Sequence, residues 1–428
     1  MVRTAVTAEP RADELLHRLL ATTEGQTDPY PLYHALRTLA PVHHSELDGM
    51  WYASGFSAAR RILLDPCFGK APRLTIRRHG VPEERVRMIE RRPPRPSMIT
   101  ANPPEHARLR GAAKGAFLPT RIESLRSRVT SLVDESLDRL AALGTADVMA
   151  ELAGPLPLAV ISELLGVPEQ DRTEFRRLVV AMVSSDDPHP PPEAVEQAEA
   201  ASVQLEEYVL DLVSARRACP GDDVLSMLVE QHDGGTLAAA ELTATVILLL
   251  AAGVFTTTNL IGNGLLALLH HPSQMGRLWG DPALVAPAVE EMLRYDTPIQ
   301  LINRHVLSDV EVEGGARLEQ GDTVVVLLGA ANRDPTWFCE PDRFDVGRPD
   351  NGHLAFAWGT HFCLGARLAR LEAQLVFSGL RERFTRLALA GEPVRRAGLA
   401  LRGLETLPLR LEARSGPECR RRHSQNVV

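Results

Sequence analysis

Residues 356–370 read Phe356-Ala357-Trp358-Gly359-Thr360-His361-Phe362-Cys363-Leu364-Gly365-Ala366-Arg367-Leu368-Ala369-Arg370. The first part is a loop punctuated by Gly359 and Gly365, which let the backbone turn tightly and come close to a flat ligand. The second part has the apolar spacing of a helix. Cys363 stands just before that helix, where the positive end of the dipole favours a thiolate over a thiol. Phe356 lies far enough upstream to cover the sulfur from one side. A cysteine taken alone reads as a small buried hydrophobe. The order Phe-x-x-Gly-x-His-x-Cys-x-Gly running into a helix sets this one apart.

Composition narrows the classes around that stretch. With 55 acidic residues against 47 Lys plus Arg, the chain carries a formal charge of −8, which speaks against a general nucleic-acid binder. Five cysteines without CxxC spacing fit a reducing, cytoplasmic setting with neither a disulfide framework nor a zinc site. Residues 1–13 carry Arg3, Glu9 and Arg11 and have no apolar core, so neither a signal peptide nor an anchor is expected there. Leu242 to Leu269 contains no Asp, Glu, Lys or Arg and is long enough to span a bilayer. Its threonines and asparagines, and the lack of a close basic flank, favour a long buried helix instead.

The Cys363 loop resembles the haem-binding loop of cytochrome P450 enzymes. Its one departure is Ala357, where those enzymes more often carry Gly, and this bears on the local turn. The resemblance implies that Cys363 is the axial thiolate of haem b (iron protoporphyrin IX). Such a ligand pushes electron density to iron and favours O–O cleavage. It also implies that His361 donates to a propionate and that Phe356, Gly359, Leu364 and Gly365 surround the cofactor. Thr100 to Phe117 is similar to the P450 helix whose His and Arg bind the propionates. Asn102 is expected to cap it, with Pro103 and Glu105 in the first turn. His106 and Arg110 share one face at i, i+4. Their plain reading is an exposed polar face.

Ala240 to Leu269 would cross the distal side of the haem. Ala251-Ala252-Gly253-Val254-Phe255-Thr256 falls where P450s read Ala-Gly-x-(Glu/Asp)-Thr-Thr. Ala252, Gly253 and Thr256 would open a groove for dioxygen and water, with the Thr256 hydroxyl passing protons. The acid position is Phe255, a real departure. Protons come by ordered water, from a substrate group or from another residue, or else the chemistry is not ordinary hydroxylation. Val254, Phe255, Pro298, Ile299, Leu301 and Ile302 would line the pocket, and their apolar character suits an aliphatic or polyketide-like body. Arg304 would reach a propionate. Glu291 and Arg294 read on their own as an exposed i, i+3 ion pair. The resemblance implies a buried structural trio with Arg343.

Phe68 to Met98 is strongly basic, with Lys70 and many arginines. It reads as a solvated loop, or as a cationic lid for a carboxylate-bearing substrate or a carrier-protein-bound acyl group. Ser184 to Pro192 breaks two helices, 172–183 and 193–215, as a gating hinge or a plain connection. Arg367, Arg370, Arg110 and Lys114 would steer an acidic ferredoxin, or merely solubilise that face. Val42 to Ser54 reads as two strands around Asp48-Gly49, and Ser57 as the cap of a helix through Leu64.

The implied fold is mainly α (α+β). It is the P450 fold, a helical domain with a smaller β-rich part around one buried haem. One domain covers 1–414 and a polar tail covers 415–428. The implied activity is a monooxygenase inserting oxygen from O2 into a small natural product by hydroxylation or epoxidation. Electrons would come from NAD(P)H through ferredoxin reductase and ferredoxin, with no nucleic acid or membrane involved. Two other classes stay open: a haem-thiolate enzyme of atypical outcome (coupling, decarboxylation, isomerisation), and a non-catalytic haem-binding partner of a biosynthetic enzyme.

Overall fold

The computed structural model describes residues 9–70, 96–183 and 192–414. The basic stretch 71–95, the helix break 184–191 and the tail 415–428 lie outside the described residues. The helices that position the site are α1 (Glu9–Ala21), α2 (Tyr30–Leu39), α3 (Phe56–Leu64), α4 (Glu105–Lys114), α5 (Pro155–Leu165), α6 (Ala239–His270), α7 (Val285–Tyr295) and α8 (Ala366–Arg383).

The main core forms around α6, which packs against α5, α7 and α8. Its first turn is closed by Glu241, which accepts from the Ala238 N–H at 2.9 Å and pairs with Arg108. Of its most apolar stretch, 72% is buried inside the protein. A helix apolar all round belongs in a core when other elements cover it, and here they do. Glycines let neighbours come close: a Cβ at Gly264 would meet Met292 of α7 at 2.6 Å and Phe377 of α8 at 2.9 Å, and one at Gly253 would meet Ile161 of α5 at 3.3 Å.

The β-rich part is built on β1 (Val42–His44), β2 (Trp51–Ala53), β3 (Phe68–Gly69), β4 (Leu301–Val306) and β5 (Thr323–Leu327). Their order in the sheet is β1-β2-β5-β4-β3. β2 runs parallel to β5 with Tyr52 opposite Val325, and β4 runs antiparallel to β5 with Ile302 opposite Val326. Strand side chains alternate between faces. Ala53, Val324 and Val326 therefore pack on α3, while Tyr52, Val325 and Leu327 pack on α1 and α2. Each fully buried valine or leucine here contributes about 1.5–3 kcal/mol.

Two caps differ from the expectation. α3 begins at Phe56 rather than after Ser57, because the Phe56 N–H donates to Asp334 at 2.7 Å, a cap supplied by a distant loop. Asn102 does not cap α4. Its amide instead grips the backbone of Lys70, accepting from the N–H at 2.7 Å and donating to the carbonyl at 2.6 Å. That clamp joins the end of β3 to the start of α4.

Candidate functional site

Cys363 sits on the loop just before α8. Its N–H donates to the Phe356 carbonyl at 3.0 Å, which closes the loop on itself. Arg110 of α4 donates to the Phe362 carbonyl at 2.8 Å. Cys363 is exposed, yet the atoms crowded around its sulfur still push the thiol up. The Gly365 and Ala366 amides and the charges of Arg110 and Arg370 act against this and favour the anion. Gly359 is required by its neighbours. Its φ is +71°, and a Cβ there would run into the Leu63 carbonyl at the end of α3. Gly365 meets only Phe117, at 3.8 Å. Ala357 has φ +57°, so the departure noted in the sequence is a left-handed residue carrying a side chain.

Five cationic or hydrogen-bonding side chains converge beside that loop. His106 and Arg110 come from α4, Arg304 from β4, His361 from the loop and Lys70 from the end of β3. The His106 and His361 rings lie 4.5 Å apart, edge to face. Lys70 Nζ donates to the Asn303 carbonyl at 3.0 Å, and so does Arg304 at 3.0 Å. Burial, then Arg304, His106, Lys70 and Arg110, push His361 down to about 3. Burial and Arg304 push Lys70 down to about 7. Burial lowers Arg304 to about 10, and burial with Arg110 lowers His106. Among the described residues no carboxylate acts on any of these four groups. His106 Nε2 is buried and has no partner among the described residues. Buried donors with no anion among them form a binding site for one. Two carboxylates on the rim of a planar ring, beside a thiolate, suit this set, so the residues fit haem. The sequence places Lys70 at the start of the basic lid. Its place here depends on the Asn102 clamp, for which the sequence carries no local signal.

On α6 the open face is formed by Ala252, which is exposed, and Thr256, one turn on. The Thr256 hydroxyl donates to the Ala252 carbonyl at 2.9 Å. Gly253, half-buried and three residues before Thr256, lies between that face and the contact with α5. Val254 and Phe255 do not line it: both are buried in the main core, at 2% and 5% exposure. The Phe255 ring lies under Arg396, whose guanidinium is 5.2 Å from the ring centre and whose Nε has no partner among the described residues.

Alternation divides the expected pocket on β4. Ile302 and Arg304 pair with Val326 and Val324 and share the α3 side. Leu301 pairs with Leu327 and packs toward α1 and α2, so it leaves the pocket. Ile299 stays half-buried on the α3 side. Pro298 is buried, and its carbonyl accepts from the Arg402 N–H at 2.8 Å.

The buried trio also needs correction. Glu291 and Arg294 are fully buried and joined at 2.8 and 2.9 Å. The third member is Arg348, whose Nε reaches both Glu291 oxygens at 3.1 Å. Arg343 is 54% exposed and pairs with Glu340; it contributes only its carbonyl, which accepts from Arg294 and Arg348. Arg370 is likewise not part of an open basic face. It makes two 2.7 Å bonds to Glu290 and lies over the Phe356 ring at 4.4 Å. Lys114 and Arg367 remain exposed, and the Phe362 ring is 39% exposed beside Cys363.

A family profile described as Cytochrome P450 matches residues 283–396. The chain is 42% identical over 406 residues to Cytochrome P450 monooxygenase PikC of Streptomyces venezuelae, covering 92% of this chain and 93% of that protein. It is 39% identical over 408 residues to 6-deoxyerythronolide B hydroxylase of Saccharopolyspora erythraea, covering 92% and 98%. Among solved structures, P450BioI in complex with acyl carrier protein ligated to hexadec-9Z-enoic acid superposes with a TM-score of 0.84 at 35% identity, covering 91% of this chain and 100% of that one.

Proposed function

The chain belongs to the cytochrome P450 family and is a P450 monooxygenase of the bacterial secondary-metabolism type; on that premise we propose that it hydroxylates a small polyketide-like natural product. Haem-thiolate iron supplies the activation of dioxygen. Cys363 is assigned as the axial ligand, and His106, Arg110, Arg304, His361 and Lys70 as the grip on the porphyrin carboxylates. The observation that carries the assignment is a cluster of Lys, Arg and His side chains with no carboxylate among the described residues, beside a cysteine at the start of α8. Replacing Cys363 with Ser tests it. The carbonyl adduct of the reduced protein is expected to lose its thiolate-type absorption band. A variant that keeps the band overturns the assignment.

The polyketide reading draws on the names of two relatives and on the apolar, half-buried Ile299 and Ile302 beside the Ala252–Thr256 face. A carrier-bound acyl chain is the natural competitor, because P450BioI takes one. Titrating 6-deoxyerythronolide B against hexadec-9Z-enoyl acyl carrier protein separates them by the substrate-induced shift of the haem spectrum. Electrons are proposed to arrive from NAD(P)H through a reductase and a ferredoxin docking at Lys114, Arg367 and the exposed Phe362. Binding there is expected to weaken with salt.

An atypical outcome is the second reading, and Phe255 carries it. The acid that would relay protons is an aromatic ring under an arginine. If water relays the protons, Phe255→Glu leaves the product unchanged. If the substrate's own carboxylate does, esterifying it stops turnover in the native protein and Phe255→Glu restores it.

A further inference from the structure

One carboxylate touches both ends of the Cys363 loop. Glu290 lies on α7, next to the buried Glu291, and accepts two bonds from Arg370 at 2.7 Å, a fork-to-fork pair. Arg370 is on α8, after the loop. Before the loop stands His353, buried, with its Nε2 at 3.2 Å from Oε2 of the same carboxylate, an oxygen that also accepts from Arg370. The tautomer follows from the geometry. The Ala355 N–H donates to His353 Nδ1 at 3.1 Å, and a backbone amide can only donate. The remaining proton is therefore on Nε2 and points at Glu290. Burial works against this carboxylate, yet Arg370 and His353 hold it down, to about 2.

The contact continues to the sulfur. Glu290 holds Arg370 with its guanidinium 4.4 Å above the centre of the Phe356 ring. The carbonyl of Phe356 accepts the N–H of Cys363, and Arg370 is one of two guanidinium charges acting on that sulfur. The sequence marks only Glu291 and Arg294 on α7. Glu290 faces the other way and serves a different network.

We propose that Glu290 is a positioning residue for the haem thiolate, bracing the loop at His353 and Arg370 and fixing the Arg370 charge beside the sulfur. The proposal rests on the reading of Cys363 as the iron ligand. Its consequence is electronic. A cation held near the thiolate withdraws electron density from it and so favours reduced iron. Letting that cation drift away lowers the haem reduction potential even though the net charge stays the same.

The test uses haem-loaded protein without substrate and two charge-conserving variants. Glu290→Asp retracts the carboxylate by one methylene, and Arg370→Lys keeps the charge but loses the planar fork. At a poise where the native protein is half reduced, both variants are expected to show a reduced-to-oxidised ratio about tenfold lower, 59 mV for one electron. The thiolate-type band of the carbonyl adduct is expected to decay several-fold faster. If Glu290→Asp fails to load haem, Arg370→Lys, which leaves the His353 contact in place, carries the measurement. A lower melting temperature with an unmoved potential overturns the proposal. Absence of the thiolate-type band in the native protein instead overturns the Cys363 assignment, so the two failures are distinct.

Discussion

Two charged clusters in this molecule behave in opposite ways, one closed around a buried acid and the other without one. Around Glu291, every donor has an acceptor. Arg294 reaches the carbonyls of Asn332, Pro341 and Arg343, and Arg348 reaches those of Cys339, Glu340 and Arg343. The carboxylate also accepts from the Asp345 amide and the Asn351 side chain. Around His361, the cations meet no carboxylate among the described residues, and each is depressed by burial or by its neighbours. The difference teaches how to tell scaffold from site. A charge network that closes on itself supports the fold, whereas one that stays open is completed by a ligand.

Removing a member breaks each cluster in its own way. Glu291→Ala strands two buried guanidiniums and is expected to cost about 3–5 kcal/mol, enough to leave the protein insoluble and haem-free. Soluble, haem-loaded Glu291→Ala would erase the contrast. Arg343→Ala, on the exposed neighbour, is expected to change the melting temperature little.

Glu372 sharpens the contrast from the other side, as a buried acid with no cation beside it among the described residues. It sits in α8 at 2% exposure with Oε2 unpartnered, and burial raises it to about 8. In the unfolded chain this carboxyl ionises near its ordinary value, while the folded protein keeps it protonated up to about 8. Folding stability is therefore lost as pH rises across that window, by up to about 4 kcal/mol between pH 5 and 8. Glu372→Gln is expected to melt close to the native protein at pH 5 and well above it at pH 8. Parallel melting curves at both pH values would show that the acid has a partner.

Arg304→Leu removes one cation from the open cluster. It is expected to leave the haem-free protein as stable as before or more so, and to weaken haem retention about thirtyfold, or about 2 kcal/mol. A variant that melts early before haem is added would move Arg304 to the scaffold class. The smallest effect belongs to the loop between the clusters. Ala357→Gly relieves a left-handed alanine and is expected to stabilise by about 1 kcal/mol. A loss of stability there would mean that its packed methyl outweighs the backbone strain.

Much of the site was legible because its signals are local. The turn of Gly359, the position of Cys363 before a helix, the long uncharged run of α6 and the Glu291–Arg294 spacing all lie within a few residues of chain. Local geometry follows from residue type and order, so these were readable from the chain alone. The tertiary structure decided the rest. Arg348 meets Glu291 from 57 residues away, and Arg370 meets Glu290 from 80. Lys70 enters the cation cluster through an asparagine 32 residues on. Which side of α6 is open, and that Leu301 and Ile302 part company, depends on what packs against each face. A sequence lists which charges are available. Only the folded chain determines which of them become neighbours, because long-range pairing is selected by burial and packing rather than by spacing along the backbone.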